Sequence, residues 1–178
     1  MRRLILIGVI LIGVALLARQ MLERAPVEVP APDLADSTGT GLRSVTLLFA
    51  SGSGDRLTSE VRELPDEAEL HARVAALVAA LEQGPRQGGV RALPAGTALL
   101  HAYLDESGIL TLDLSPAFRQ GFRGGARAEE LTLASLVRTV AVNVPEAKRI
   151  RIVCGGQALA SLAGHFPLDQ PLDPDDWF

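Results

Sequence analysis

The segment from Leu93 to Pro116 constrains the fold of this chain more than any other part of the sequence. It reads LPAGTALLHAYLDESGILTLDLSP, in which two β-rich runs flank a short turn that contains Gly108. Two such runs separated by a short glycine-containing turn are typical of a β-hairpin. We therefore predict strands over residues 98–104 and 109–114.

Periodic apolar residues predict two helices and three further strands around this hairpin. The predicted elements are strands at 45–50 and 58–64, a helix from the N-cap Asp66 to Gly84, the two hairpin strands, a helix from about Ala128 to Pro145, and a strand from Arg149 to Cys154. The strand at 58–64 is the more polar and is expected at a sheet edge. The order β-β-α-β-β-α-β predicts an α+β fold, a small mixed β-sheet with two helices on one face.

The N-terminus carries a candidate membrane segment. An uncharged apolar run at residues 4–18 follows Arg2 and Arg3. As a helix it would be about 22 Å long, shorter than the ~30 Å hydrocarbon core of a bilayer. It is either an uncleaved anchor, which we favour, or a signal peptide cleaved after Ala15. With both arginines in the cytoplasm, the remainder would lie outside it. We expect a single-pass protein of the inner or cytoplasmic membrane with a periplasmic or extracytoplasmic C-terminal domain.

The composition divides the chain into four parts. We expect a membrane anchor or signal segment at 1–22, a Pro-rich linker at 23–43, a folded domain at 44–172 and an acidic tail at 173–178. The tail ends in Trp177 and Phe178. It either docks on a partner as a peptide or folds back onto its own domain.

Several function classes lack support in the sequence. The net charge of −4 argues against general nucleic-acid binding, which needs a basic surface. The lone Cys154 excludes an internal disulfide and a multi-cysteine metal site, and is expected to pack as a small hydrophobe. None of the three histidines is spaced with a second ligand as a zinc site requires. We predict no catalytic residue, no metal and no cofactor.

A series of short motifs resembles the GerMN domain of spore-germination and sporulation proteins. The motifs are LEQGP at 81–85, LPAGT at 93–97, Gly108 through Ser115, Glu130-Leu131, Val153 to Gly155, LAGH at 162–165 and Pro171-Leu172. Their order and spacing cover roughly residues 45–172. The resemblance implies an exported, membrane-tethered envelope domain without known catalytic activity, similar to ring-building modules of secretion systems.

This chain departs from the family in two ways. It carries one copy of the domain, and it lacks the lipoprotein cysteine that many members use. Single domains also occur in organisms that do not sporulate, so a spore-specific role does not follow from the resemblance. We expect the family motif residues to be structural; they are Gly84, Pro85, Pro94, Gly96, Thr97, Asp113, Ser115, Gly164 and His165.

One surface is a candidate binding site. Because the hairpin is antiparallel, the loops 84–97 and 115–127 converge at its open end. They hold no Asp or Glu and carry five arginines, which are Arg86, Arg91, Arg119, Arg123 and Arg127. This surface either contacts an anionic partner, such as an envelope polymer or an acidic protein face, or consists of solvated arginines in mobile loops.

The sequence therefore favours a non-enzymatic, membrane-anchored envelope protein that acts by binding envelope proteins or itself. Sporulation, germination or cell-wall processes are the expected settings, and cell-wall polymer is a further candidate partner. The alternative is a cell-wall-processing enzyme or an accessory domain that binds peptidoglycan.

Overall fold

The computed structural model of the chain describes residues 41–177. The elements are β1 (Leu42–Ala50), β2 (Leu57–Pro65), α1 (Leu70–Gln83), β3 (Leu99–Leu104), β4 (Ile109–Leu114), α2 (Ala117–Gln120), α3 (Ala126–Asn143), β5 (Arg149–Cys154), β6 (Gln157–Ala158) and a 3-10 helix at Pro174–Asp176. The predicted α+β class and the order of the seven main elements are confirmed. The short elements α2, β6 and the 3-10 helix were not predicted.

The strands form two sheets, whereas the sequence predicted one. β1 and β2 make an antiparallel hairpin, and the second sheet has the order β3-β4-β5-β6. β3 and β4 pair antiparallel, as the predicted hairpin requires, and β4 pairs parallel with β5. Helix α3 makes the long connection that two parallel strands need.

Polar side chains of α3 explain why β1 does not join the larger sheet. The Thr46 N–H donates to Asn143 Oδ1 at 3.1 Å, and the Leu48 N–H donates to Thr139 Oγ1 at 2.9 Å. Ser135 Oγ donates to the Leu48 carbonyl at 2.5 Å. These three side chains recur every fourth residue and therefore lie on one helix face. They satisfy the backbone of Thr46 and Leu48 on the edge of β1 that faces away from β2, and Val90 forms an antiparallel bridge to Ala50 at the end of this edge.

One hydrophobic core joins both sheets and the two long helices. The inward residues of β4, Leu110, Leu112 and Leu114, are fully buried, as the all-apolar strand face predicted. The predicted apolar stripes of α1 and α3 are also buried; they include Val74, Leu77, Val78 and Leu81 in α1 and Leu133, Leu136, Val137 and Val140 in α3.

Helix α1 begins later than predicted. Asp66 is not its N-cap; it lies in the connection before the helix, where its N–H donates to the Gly41 carbonyl at 3.0 Å. Glu69 occupies the N-cap position and makes no side-chain cap. The predicted stop at Gly84 is confirmed: this glycine has φ 87°, and its N–H donates to the Leu81 carbonyl. A side chain would be strained at that φ.

The C-terminal segment folds back onto the domain. Leu172 exchanges backbone hydrogen bonds with Ile150 of β5, at 2.7 and 2.9 Å. The Trp177 ring packs against Phe166 at 5.5 Å between centroids and is 7% exposed. Of the two interpretations of the tail, the structure supports folding back for Trp177.

No helix within residues 41–177 is long and apolar enough to cross a membrane. The candidate anchor at 4–18 and most of the linker at 23–43 lie outside the described residues. Leu42 and Arg43 already belong to β1.

Candidate functional site

Three loops enclose a cleft of about 540 Å³ at one end of the domain. Two are the loops that the sequence predicted to converge, represented by residues 90–95 and 121–123. The third, at 51–54, is the turn of the β1–β2 hairpin and was not predicted to take part. Leu131 and Thr132 of α3 also line the cleft.

Two of the five predicted arginines line this cleft, Arg91 and Arg123. The Arg123 guanidinium donates to the carbonyls of Gln120 and Phe122, at 2.7 Å each. Both contacts are with exposed loop backbone, so its positive charge meets no carboxylate there. Arg91 is exposed, and its guanidinium makes no hydrogen bond or ion pair within residues 41–177. The cleft thus has two cationic side chains and no acidic lining residue.

The other three arginines lie elsewhere. Arg127 donates to the carbonyls of Gly54 and Asp55 and to Glu130 Oε2, and so fastens the 51–54 loop to the start of α3. Arg119 lines a separate pocket beside Cys154. The side chain of Arg86 is exposed, and its backbone N–H donates to Glu60. The predicted arginine surface is therefore brought together only in part.

One carboxylate lies next to the cleft, that of Asp55. It accepts hydrogen bonds from Ser53 Oγ at 2.5 Å and Ser51 Oγ at 2.7 Å, and it pairs with Arg56 at 3.3 Å. Mainly because of the two hydroxyl donors, the pKa of Asp55 falls to about 2. The carboxylate is satisfied within its own loop and helps to hold that loop in shape.

A buried ion pair supports the loop that carries Arg91. Arg62 Nε lies 2.5 Å from Glu60 Oε1, and its other nitrogens donate to the carbonyls of Ala80 and Gly84 at the end of α1. Glu60 Oε2 accepts the N–H groups of Arg86 and Gln87, at 2.8 and 3.1 Å. Burial alone would raise the pKa of Glu60, but these donors outweigh it and lower the pKa. The pair fixes the start of the loop.

A second buried carboxylate, Glu129, organises the loop around the LAGH motif. Glu129 is 0% exposed and accepts the backbone N–H groups of Leu162, Ala163 and His165 at 2.9 to 3.1 Å. His165 Nδ1 lies 2.9 Å from Glu129 Oε2. Burial acts to raise the pKa of Glu129, but the hydrogen bonds to its carboxylate outweigh this effect, and the pKa is lowered. Glu129 lies in the first turn of α3, and its carboxylate binds this loop.

The remaining family motif residues lie in turns and at the open end of the β3–β4 hairpin. Thr97 donates its N–H and its hydroxyl to the Pro94 carbonyl, at 3.2 and 2.7 Å. Ser115 Oγ donates to the Gly96 carbonyl at 3.0 Å and accepts the Ala98 N–H at 3.1 Å. These bonds join the segment before β3 to the residue after β4 at the open end of the hairpin.

Other motif residues fix turns further along. Asp113 Oδ1 accepts the Gly156 N–H at 2.9 Å, which fixes the turn after β5. Gly164 has φ 94° within the loop that Glu129 binds. Pro85 follows the glycine that ends α1.

The residues that could have formed a catalytic site do not meet. Cys154 Sγ lies 3.4 Å from the Ser115 carbonyl, in a pocket that neither Asp113 nor His165 lines. His71 and His101, far apart in sequence, come within 6.4 Å between ring centroids. No group of three His, Cys, Asp or Glu side chains within residues 41–177 is placed to hold a metal ion.

The sequence interpretation missed Ser51, Glu60, Arg62 and Glu129. A signal existed for one pair: strand alternation places Glu60 and Arg62 on the same face of β2, opposite Leu47 and Val45, so opposite charges would face the core together. The role of Glu129 had no local signal, because its partners are more than thirty residues away.

A family model described as "Germane: Sporulation and spore germination" matches residues 46–160. No curated protein matches the chain. A Clostridium perfringens protein described as a lipoprotein is 25% identical, with a TM-score of 0.54 over 80% of this chain and 94% of that chain.

Two solved structures of the sporulation protein GerM from Bacillus subtilis share the fold. Its tandem GerMN domains are 16% identical, with a TM-score of 0.61 over 76% of this chain and 48% of that chain. Its first GerMN domain is 16% identical, with a TM-score of 0.62 over 75% of this chain and 99% of that chain. The predicted GerMN-like domain is confirmed. Since the family model matches more than half of the chain, this protein belongs to the Germane family of sporulation and spore germination.

Proposed function

We propose that this protein is a non-enzymatic, membrane-anchored cell-envelope protein whose extracytoplasmic GerMN-like domain binds an anionic partner. The cleft lined by Arg91 and Arg123 carries the proposal, because it concentrates positive charge without an acidic lining residue. Such a surface attracts an acidic protein face or an anionic envelope polymer. The apolar run at 4–18 would hold the domain at the membrane, and the Clostridium protein described as a lipoprotein has a comparable domain.

The buried carboxylates of Glu60 and Glu129 are poor candidates for general acids. A general acid near neutral pH needs a raised pKa. Hydrogen bonds lower the pKa of Glu60 and of Glu129, and backbone N–H groups occupy both carboxylates. These groups hold loops in place, so the alternative of a cell-wall-processing enzyme has less support than an accessory domain that binds wall material.

The proposal is tested by photo-crosslinking in cells. A photoreactive amino acid replaces Ala95, which is exposed in the cleft, in the full chain and in the double variant R91E/R123E. We expect charge reversal to abolish the adduct, because both cationic groups would then repel an anionic partner. The matched control is R149E/R151E, which changes net charge equally at two exposed residues of β5. An adduct unchanged by R91E/R123E would refute the proposal.

A further inference from the structure

The outer edge of β2 is an open strand edge. In an antiparallel pair, the residues of one strand direct their N–H and C=O groups alternately toward and away from the partner strand. Thr46 and Leu48 bond to α3 and therefore face away from β2. Their cross-strand partners, Val61 and Ser59, must likewise face away from β1. Within residues 41–177, no other group bonds to the backbone of Ser59 or Val61.

Side chains along this edge leave it accessible. Val61 is 66% exposed, and Ser59 and Glu63 are exposed on either side of it. Pro65 lies four residues after Val61, so its backbone nitrogen also points to the outer side of β2. Proline, which has no N–H, is tolerated at this side of an edge strand. The hairpin thus has one edge closed by α3 and one edge with unpaired donors and acceptors. An open edge of this kind pairs with another strand.

A second copy of β2 fits this edge by charge. In an antiparallel pair centred on Val61, each Val61 faces its copy, and Ser59 faces Glu63. Glu60 then faces Arg62 of the other copy, on the buried side of the strand where the two residues also form an ion pair within each chain. Opposite charges therefore stand across from each other along the strand, and no like charges do.

The neighbouring registers are disfavoured. A pairing centred on Glu60 would place Glu60 directly opposite its own copy, and a pairing centred on Arg62 would place Arg62 opposite its own copy. Like charges directly opposite each other are destabilising. A shift of one residue would also turn the side chains of one strand to the wrong face. The sequence of β2 thus specifies one self-complementary register.

We propose that two copies of this chain associate through their β2 strands, antiparallel and centred on Val61, to form a continuous four-stranded sheet. The two-fold contact is isologous and closes on itself. Because Val61 directs its N–H and C=O outward, the two copies of this residue would exchange backbone hydrogen bonds across about 5.5 Å between Cα atoms. This surface is separate from the arginine cleft, so the self-association can hold or fail independently of the proposed function.

Cysteine crosslinking tests both the contact and its register. The full chain carries C154S to remove its native thiol, and membranes that contain it are oxidised briefly. V61C should give a disulfide-linked dimer, since about 5.5 Å lies within the range that a disulfide spans. S59C or E63C alone should give none, because four residues of offset is about 13 Å along a strand. A mixture of S59C and E63C chains should crosslink.

The outcomes separate the proposal from its competitors. V142C is the matched control, because Val142 is 50% exposed on α3, away from this edge. A dimer with V61C and with the S59C and E63C mixture, and none with V142C, supports the proposed register. Equal dimer yields from V61C and V142C would show collision only and overturn it. A V61C adduct with a different protein would assign the edge to another partner and also overturn it.

A second measurement needs no crosslink. V61K adds a charge at the centre of the edge and should raise the dimer dissociation constant at least about tenfold in sedimentation of the detergent-solubilised full chain. V142K should leave it unchanged. Both positions are exposed, so unfolding midpoints followed by Trp177 fluorescence should match those of the parent chain. Equal dissociation constants for V61K and the parent chain would refute the proposal.

Discussion

The buried carboxylate of Glu129 holds in place a loop that has no regular secondary structure. The loop that contains Leu162 and His165 makes few hydrogen bonds to other backbone groups, but three of its N–H groups donate to Glu129. A buried anion is tolerated when hydrogen bonds satisfy it, and charge-assisted bonds are stronger than neutral ones. The exposed ring of His165 adds one more contact. The LAGH motif thus has a structural function in this chain.

Replacing Glu129 by glutamine should destabilise the domain by about 1–3 kcal/mol at pH 7. The amide nitrogen of glutamine cannot accept a hydrogen bond, so at least one N–H of the loop would be buried without a partner. Urea unfolding followed by the fluorescence of Trp177, the sole tryptophan, measures the loss. E130Q is the control: Glu130 pairs with Arg127 at the surface, and its loss should cost less than about 1 kcal/mol.

The same variant has a predicted pH dependence. Folding lowers the pKa of Glu129 below its usual value of 4.5, so its stabilising contribution is complete above that pH. The contribution is lost as the pH falls through the lowered pKa of the folded state. The difference in unfolding free energy between the parent chain and E129Q should be constant from about pH 6 to 8 and shrink below about pH 4.5. A difference that persists undiminished in acid would contradict this assignment.

At the scale of elements, α3 acts toward β1 as a neighbouring strand would. Asn143 accepts the Thr46 N–H through Oδ1 and donates through Nδ2 to the Thr46 carbonyl at 2.7 Å. Its amide therefore reproduces the donor and acceptor of a peptide group. Thr139 and Ser135 do the same for Leu48. This arrangement closes one edge of the hairpin and leaves the edge of β2 open.

We expect N143A to destabilise the domain by about 1–3 kcal/mol, because the polar backbone groups of Thr46 would lose their partners. Hydrogen exchange locates the effect: the Thr46 amide should exchange faster, while the Leu48 amide, held by Thr139, should keep its protection. V142A, at the neighbouring exposed residue, should change neither amide. Uniform exchange in all three proteins would show that the side-chain contacts do not close this edge.

The elements could be predicted because their signals are local. Apolar periodicity and the glycines at 84 and 108 placed the helices and the hairpin within a few residues. The division into two sheets could not be predicted, because Ser135, Thr139 and Asn143 have the spacing of an ordinary solvent-facing stripe. Only the distant strand that they bond to gives them their role.

The part of the candidate site that is formed by the two loops at the open end of the β3–β4 hairpin could be predicted from the sequence. Antiparallel pairing of β3 with β4 correctly brought the loops of Arg91 and Arg123 together. The third loop, at 51–54, comes from the other sheet, and no local pattern connects it to them. Arg127 joins the two parts through the carbonyls of Gly54 and Asp55. An arginine assigned to partner binding thus has a structural role.

At the scale of the whole molecule, attachment of the chain to a membrane would favour both contacts proposed for it, the cleft and the β2 edge. Tethering confines copies to two dimensions and raises their effective concentration, so a weak strand contact can be populated there. An anionic partner would likewise be met by many clefts at once. The membrane attachment of residues 4–18 is therefore the prediction that bears on both contacts.

We expect the full chain to be membrane-attached, with its C-terminal domain outside the cytoplasm. The uncharged run at 4–18 would insert, and Arg2 and Arg3 would stay on the cytoplasmic side. Alkaline phosphatase fused after residue 178 should be active, carbonate-washed membranes should retain the protein, and intact mass should include residues 1–18. In R2E/R3E, phosphatase activity should fall, whereas R86E/R119E, with the same charge change in the domain, should not alter it. A released protein whose mass begins after Ala15 would instead identify a cleaved signal peptide, and self-association would then have to occur without the gain from tethering.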